Sequence, residues 1–354
     1  MSKLRPIAFV LPQYHPIPEN DVWWGKGFTE WTNVTRAKPL FKGHYQPQLP
    51  TDLGFYDLRL PEARKAQADL AKEYGIHGFC YYHYWFNGKR LLDEPIDGML
   101  AQKDLDMPFM LCWANENWTR RWDGKENEVL MKQEYRLDDD MEHIRWLCEN
   151  VFSDERCIKV NGCPVFSVYD HRQFPDLKQT GELWRQIAKE EYGFPNLYLI
   201  VIESFNRSVD PNAYDFDATI EFSPHMVLKQ RVPKSFLEKK GFKKTFDFRD
   251  FKSAVSTIMS RPKPDFKLFR CVTPSWDNTA RKGKEGTICI GSSPELYYKW
   301  LHHIVTHFKP YSKEENFVFI NAMNEWAEGN HLEPCIKYGR AYLEATKKAL
   351  EQND

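Results

Sequence analysis

The stretch Leu197-Tyr-Leu-Ile-Val-Ile202 decides the fold class. Its six apolar or aromatic residues show no alternation of polar and apolar positions, so both faces of the segment call for cover. Six residues is strand length, and a strand covered on both faces belongs to a parallel sheet whose crossover helices pack over it. Working outward, the same pattern recurs at residues 7–13, 77–82, 108–114, 164–169, 218–221, 268–274 and 316–322. Each is a short apolar run, followed by a polar and aromatic cluster and usually by a helical pattern. The clearest helix is expected at residues 61–74, with Pro61 in its first turn and Gly75 just past its end. Others are expected near 138–152, 181–192, 294–308 and 339–350. Eight strands alternating with helices predict an α/β protein, a single (β/α)8 TIM barrel with long βα loops over residues 1–354. The open doubly wound sheet is the alternative, but no G-x-G-x-x-G or Gly-Lys-Ser/Thr loop follows a strand to cradle phosphates.

Composition narrows the function classes. The 354 residues are 42% hydrophobic and 28% charged, and 49 Lys+Arg against 50 Asp+Glu leave a net charge of -1. A neutral chain lacks the basic balance of a nucleic-acid binder. Mean hydropathy is -0.63, and no apolar run approaches the roughly 20 residues that cross a bilayer. The first residues lead only into a five-residue apolar run, Ile7 to Leu11, too short for a signal peptide, so a cytoplasmic protein is expected. The eight cysteines show no C-x-x-C spacing and sit among apolar residues, which reads as buried thiols in a reducing compartment. Three N-x-S/T sequons, at Asn33, Asn117 and Asn206, read as chance matches. The aromatic content is the unusual number: 12 Trp, 17 Tyr and 24 Phe make 15% of the chain.

In a barrel, the C-terminal ends of the strands share one pocket. The residues expected there are Tyr14 and His15, Tyr82, His83 and Trp85, Trp113, Asn115, Glu116 and Asn117, Tyr169, Glu203, Glu221, Trp276, Asn324 and Trp326. Two long connections, about residues 16–60 and 222–267, read as binding loops, and the first adds Trp23, Trp24 and Trp31. Aromatic faces beside carboxylates and amides suit a sugar, whose C–H faces pack on rings while its hydroxyls need donors and acceptors. Trp and Tyr also fill barrel cores, so each residue singly has that second reading.

The stretch Asn321-Ala-Met-Asn-Glu-Trp-Ala-Glu-Gly-Asn330 is the most informative for chemistry. Glu325 and Glu328 stand three apart after the eighth run, and one turn would bring both carboxylates to the same side. Two carboxylates in one aromatic site separate in proton affinity, one serving as base and the other as acid. That is the equipment for cleaving or transferring a glycosidic bond. As a bare pattern, E-x-x-E is commonly a solvated helix face.

The run from Asn324-Glu-Trp-Ala-Glu-Gly329 to Leu332-Glu-Pro334 resembles the hallmark of glycoside hydrolase family 99 and its WbsX-like relatives, found among polysaccharide and O-antigen biosynthesis proteins. Leu11-Pro-Gln-Tyr-His-Pro16, Trp23-Trp-Gly-Lys-Gly-Phe-Thr-Glu-Trp31, Gly78-Phe-Cys-Tyr-Tyr-His-Tyr-Trp-Phe86 and Cys112-Trp-Ala-Asn-Glu-Asn-Trp118 resemble the WbsX branch. The resemblance implies a (β/α)8 barrel and a retaining reaction on an α-glycosidic bond, with no cofactor and no metal. It implies that Glu325 deprotonates the sugar 2-hydroxyl, forming an internal epoxide, and that Glu328 is the general acid/base. The hydrolases place His between the two glutamates where this chain has Ala327, and WbsX proteins carry the name glycosyltransferase, so water and a sugar both stand as acceptors. A transferase using an activated donor and a non-catalytic glycan-binding barrel remain as alternatives. The expected partner is an oligosaccharide or polysaccharide of the cell surface, in one version lipid-linked.

Two weaker signals complete the reading. His302, His303 and His307 lie on an expected outer helix with no further ligand nearby, which favours packing over metal binding. Within residues 229–252, nine basic residues face three acidic ones, with five Phe interleaved. This is a solvated loop with aromatic anchors or a contact for an anionic glycan, a lipid diphosphate or the inner membrane surface.

Overall fold

In the computed structural model, which describes residues 4–120, 125–206, 208–225, 227–232 and 246–351, eight parallel strands form a barrel. They are β1 (Arg5–Val10), β2 (Gly78–Phe86), β3 (Phe109–Trp113), β4 (Cys163–Val168), β5 (Tyr198–Ile202), β6 (Ala218–Ile220), β7 in two pieces (Leu268–Phe269 and Cys271–Val272), and β8 (Phe317–Ile320). Each of the eight apolar runs contributes one of them. In register, Ala8 lies opposite Ile320 and Val10 opposite Tyr81, so β1 joins β8 to β2. The ring closes through β7, where Leu268 lies opposite Thr219 of β6 and Cys271 opposite Phe319 of β8. Arg270 separates the two pieces, and its carbonyl still accepts from Phe319 N at 2.8 Å.

The helices are α1 (Pro18–Trp24), α2 (Glu30–Arg36), α3 (Pro61–Glu73), α4 (Glu94–Ala101), α5 (Leu137–Leu147), α6 (Leu177–Glu190), α7 (Phe251–Met259), α8 (Thr279–Lys282), α9 (Pro294–His307) and α10 (Ala341–Glu351). The five expected from sequence are present. α6 starts four residues earlier than expected because Asp176 caps it, accepting from Gln179 N at 3.0 Å. α4 and α7 were not anticipated. The long connections are not open loops: residues 16–60 contain α1 and α2, and residues 222–267 contain α7 and the strand Asp247–Asp250, paired with Thr287–Ile290. Asp250 caps α7 by accepting from Ser253 N, a cap easily lost in a basic, Phe-rich sequence. Most of the basic cluster, residues 233–245, lies outside the described residues. Its downstream flank packs inward, Phe246 and Phe248 lying 5.2 and 5.5 Å from Phe41.

The core has two shells, one inside the barrel and one between strands and helices. The alternation of a strand assigns residues between them. All nine residues of β2 are buried, but Tyr82 turns inward onto Phe9 at 5.5 Å, whereas His83 and Trp85 turn outward onto α5, where His143 stacks on Trp85 at 4.6 Å. The eight cysteines are free thiols, Cys163 half-buried and the others buried. No helix among the described residues is long and apolar enough to cross a membrane. His303 and His307 stack on each other at 4.2 Å along α9, with His303 Nε2 3.2 Å from the Met259 carbonyl of α7.

Candidate active site

Beyond β8 the chain stays buried and makes a tight hairpin, Asn324–Glu325 pairing antiparallel with Asn330–His331. The turn Trp326–Glu328 is closed by Gly329 at φ 58°. A side chain there would meet two obstacles: the left-handed backbone, and a Cβ only 2.5 Å from Gln48 Nε2 and 3.1 Å from Asp277 N. Asp277 N also donates to the Glu328 carbonyl at 2.7 Å, fastening the turn to the loop after β7.

Glu325 and Glu328 converge on one cation. Arg281, carried on α8, donates from Nη2 to Glu325 Oε2 at 2.9 Å and from Nη1 to Glu328 Oε1 at 2.5 Å. The same Nη2 reaches a third carboxylate, Glu30 Oε1 at 2.7 Å. Glu30 is the first residue of α2 and is fully buried. Burial pushes the Glu325 carboxyl up to about 8; Arg281 opposes this, and the neighbouring Glu328 and Glu30 add to it. Glu328 is raised for the same leading reason. Burial works against the Arg281 charge, but the three carboxylates outweigh it and hold the guanidinium firmly protonated. Both carboxyls therefore hold a proton more tightly than an ordinary glutamate does.

Above this cluster opens a cavity of about 430 Å³ at the C-terminal ends of the strands. Its walls come from all eight connections, the one after β5 contributing Phe205. After β1 stand Gln13, Asn20 and Trp24, and β2 ends in Tyr82 and Tyr84. Glu116, Asn117 and Trp118 follow β3, and Tyr169 follows β4. Phe222 and His225 follow β6, Trp276 and Arg281 follow β7, and Asn321, Glu325 and Glu328 follow β8. Aromatic faces thus share the rim with amides and carboxylates. Several wall groups are buried without a hydrogen-bond partner among the described residues: Gln13 Nε2, both amide atoms of Asn20, Trp276 Nε1 and Asn321 Oδ1. Unmet buried donors and acceptors each cost about 1–3 kcal/mol, a cost that a polyhydroxylated ligand is suited to relieve.

Of the residues expected from sequence, Trp24, Tyr82, Glu116, Asn117, Tyr169, Trp276, Glu325 and Glu328 line this cavity. The others do not, and each has a different task. Tyr14 is buried against Trp31 and Tyr56 and donates to the Asn324 carbonyl. Trp31 donates to the Tyr56 carbonyl at 2.8 Å, and Trp326 donates to Glu333 at 2.6 Å while stacking on His331. Asn324 acts as a backbone mimic: its side chain accepts from Leu11 N at 2.8 Å and donates to Leu11 O at 3.0 Å, stitching β8 to β1. His15 is buried 4.0 Å from Glu94, at the foot of α4. Trp23 packs edge-on against Trp118 at 5.5 Å, behind the wall.

His83, Trp85 and Trp113 are outward-facing strand residues. His83 Nε2 lies 3.0 Å from His143 Nε2, Trp85 donates to Asp139, and Trp113 packs on His143 and Trp184. Asn115 joins two loops, its Nδ2 donating to Tyr135 Oη and to the Asp170 carbonyl, both at 2.9 Å. Glu203 and Glu221 share Arg261, at 2.6 and 2.9 Å, and Glu221 also pairs with Arg270. These two carboxylates are neutralised by ion pairs beside β5 and β6.

Arg281, Glu30 and Asn20 lay beyond the sequence expectation, as did Phe205, Phe222, His225 and Asn321 of the wall. Glu30 stood inside the quoted Trp23 to Trp31 stretch and Arg281 only four residues past Asp277, but neither carries a local signal of its own.

The family model described as glycosyltransferase WbsX matches residues 6–346. The chain is 43% identical over 346 residues to a protein of Xanthomonas campestris pv. campestris bearing the name uncharacterized protein WxcX. The match covers 97% of this chain and 49% of WxcX, so the chain spans about half the length of that relative. Among solved structures, one described as a glycoside hydrolase-like protein aligns with TM-score 0.60 at 13% identity, covering 99% of this chain and 94% of its own. The GH99 endo-alpha-mannosidase from Bacteroides thetaiotaomicron aligns with TM-score 0.58 at 12% identity, covering 99% and 97%. At such identities the likeness is one of fold, the (β/α)8 barrel.

Proposed function

The chain belongs to the glycosyltransferase WbsX family, and from that premise we propose that it is a carbohydrate-active enzyme acting on an α-glycosidic bond with retention. The observation that carries the reading is the pair Glu325 and Glu328, held on one turn by Arg281 at the floor of an aromatic, amide-lined cavity. In this reading Glu325 takes the proton of the sugar 2-hydroxyl and O2 attacks C1 from the face opposite the departing oxygen. The C1–O bond breaks as Glu328 delivers a proton to that oxygen, leaving a 1,2-anhydro sugar. Glu328 then takes a proton from the acceptor, which opens the epoxide at C1, and Glu325 returns the proton to O2. Two inversions give net retention.

The raised proton affinity of Glu325 bears on this role in both directions. A carboxylate titrating near 8 is a stronger base toward a weakly acidic hydroxyl than an ordinary glutamate, but less of it is ionised at pH 7. The family's name favours a sugar as the acceptor, and the proposed substrate is a cell-surface oligosaccharide or polysaccharide handled in the cytoplasm. Contact of segment 229–252 with a lipid-linked glycan or the inner membrane belongs to the same proposal; reversing Lys239, Lys240, Lys243 and Lys244 to Glu should then weaken binding to anionic liposomes, and unchanged binding at low salt would exclude it.

Glu325→Gln and Glu328→Gln in turn, with the producing organism's surface glycan as substrate, test the chemistry. Each should keep the fold and lower turnover by roughly 10²-fold or more. Full activity in both would overturn the assignment. Free reducing sugar among the products identifies water as the acceptor, and an extended glycan identifies transfer.

A further inference from the structure

Glu30 is the one member of the carboxylate cluster that the reaction scheme leaves without a task. It is fully buried, and its placement is built by several independent devices. Thr29 and Thr32 cap the start of α2 reciprocally, fixing the backbone on which Glu30 is the first helical residue. Glu30 N donates to the Gln13 carbonyl at 2.9 Å, tying α2 to the loop after β1. Glu30 Oε1 accepts two hydrogen bonds, from Arg281 Nη2 at 2.7 Å and from Ala327 N at 3.0 Å. Oε2 is buried and has no hydrogen-bond partner among the described residues. Ala327 is one of the two residues between Glu325 and Glu328, so Glu30 holds the turn that presents both.

We propose that Glu30 is a positioning residue for the glutamate pair: it pins the turn through Ala327 N and divides the Arg281 guanidinium between itself and Glu325. This rests on the reading that Glu325 and Glu328 perform the chemistry. Arg281 Nη2 lies 2.7 Å from Glu30 and 2.9 Å from Glu325, so one N–H bearing nitrogen serves two carboxylates. A guanidinium freed from Glu30 would neutralise Glu325 more completely and leave it a weaker base. Glu30 thereby keeps Glu325 reactive while still keeping it in place.

The charged and titratable groups facing Glu325 come from every element packed on it. They are Arg281 on α8, Glu328 on its own turn, Glu30 on α2, Tyr14 after β1, and Tyr82 and Tyr84 on β2, with Lys282 reaching Glu328. Of these, Glu30 can lose its charge with little change of shape. Glu30→Gln keeps an acceptor oxygen for Ala327 N, whereas Glu30→Ala loses both the charge and the anchor.

The test is thermal unfolding of the wild type, Glu30→Gln and Glu30→Ala from pH 6 to 9. Without the Glu30 charge the Glu325 carboxyl should titrate lower by about one unit, so the unfolding constant of Glu30→Gln relative to wild type should fall by about tenfold across this window. Glu30→Ala should show the same pH trend on top of a constant deficit. A difference between Glu30→Gln and wild type that does not vary with pH would reduce Glu30 to a structural buttress and overturn the proposal. The readout needs no turnover, so failure of the catalytic assignment, seen in an active Glu325→Gln, is distinguishable from failure of this one.

Discussion

Replacing Arg281 with Met removes the cation on which the buried Glu30 and Glu325 and the half-buried Glu328 meet, while keeping most of the side-chain stem. Three charge-assisted hydrogen bonds disappear, at 2.7, 2.9 and 2.5 Å, and the carboxylates are left facing one another. Breaking a buried ion pair by removing one partner costs about 3–5 kcal/mol, mostly because the remaining charge has lost its counterion. That cost depends on pH. The Glu325 carboxyl, already raised to about 8, gives stability that is complete below its unfolded value near 4.5 and is lost as pH rises through 8. Removing Arg281 pushes Glu325 and Glu328 higher still, so the variant avoids most of the penalty at pH 5.5 by binding protons. At pH 8.5 it cannot do so cheaply.

Unfolding entropy of about 2.1 cal/mol/K per residue gives roughly 0.74 kcal/mol/K for a chain of this length, so 3–5 kcal/mol is a fall in Tm of roughly 4–7 °C. The expected result for Arg281→Met is a deficit of that size at pH 8.5, shrinking to roughly 1–3 °C at pH 5.5, where about 1–2 kcal/mol of lost hydrogen bonding remains. Calorimetry of both proteins at the two pH values measures it. A deficit equal at both, or none at pH 8.5, would refute the electrostatic account of the cluster.

Three further outcomes follow from other parts of the molecule. If Glu325 is the base, kcat/KM should rise with pH to a limb near 8 rather than near the usual carboxylate value, and a plateau already reached at pH 6 would contradict it. Burial lowers His83 to about 3 and His143 well below its ordinary value, so their neutral packing stabilises the fold above pH 6.5 and that contribution is lost as pH falls from 6.5 toward 3. Melting followed from pH 7 to 4.5 should show this loss, and His143→Gln should flatten it; an unchanged slope in the variant would count against the pair as its source. At Gly78 a Cβ would stand 2.8 Å from the Pro108 carbonyl and 3.1 Å from Ile158 Cδ1, so Gly78→Ala should cost about 1–3 kcal/mol through forced separation of β2 and β3, read as a lower denaturation midpoint.

The eight barrel strands were legible because each is a short apolar run buried on both faces, a local property that leaves a local trace. The Glu325 and Glu328 spacing was legible for the same reason: three residues in one turn settle their relation without help from the rest of the chain. What the sequence could not resolve was the face each strand residue takes. His83 and Trp85 sit beside Tyr82 and Tyr84 in an unbroken aromatic run, and when both faces are buried hydrophobicity cannot tell inward from outward. Register against β1 and β3 made that choice, sending Tyr82 and Tyr84 to the cavity and His83 and Trp85 to α5. Glu203 and Glu221 look like site carboxylates until Arg261 and Arg270 are seen to neutralise them. Closure of the ring likewise decided the cluster itself. Glu30 and Arg281 lie 251 positions apart in the chain, and they meet only because the first, seventh and eighth connections are neighbours once β8 pairs with both β1 and β7. A parallel barrel joins distant segments through backbone hydrogen bonds that any residue can make, so the side chains it brings together bear no mark of one another in the sequence.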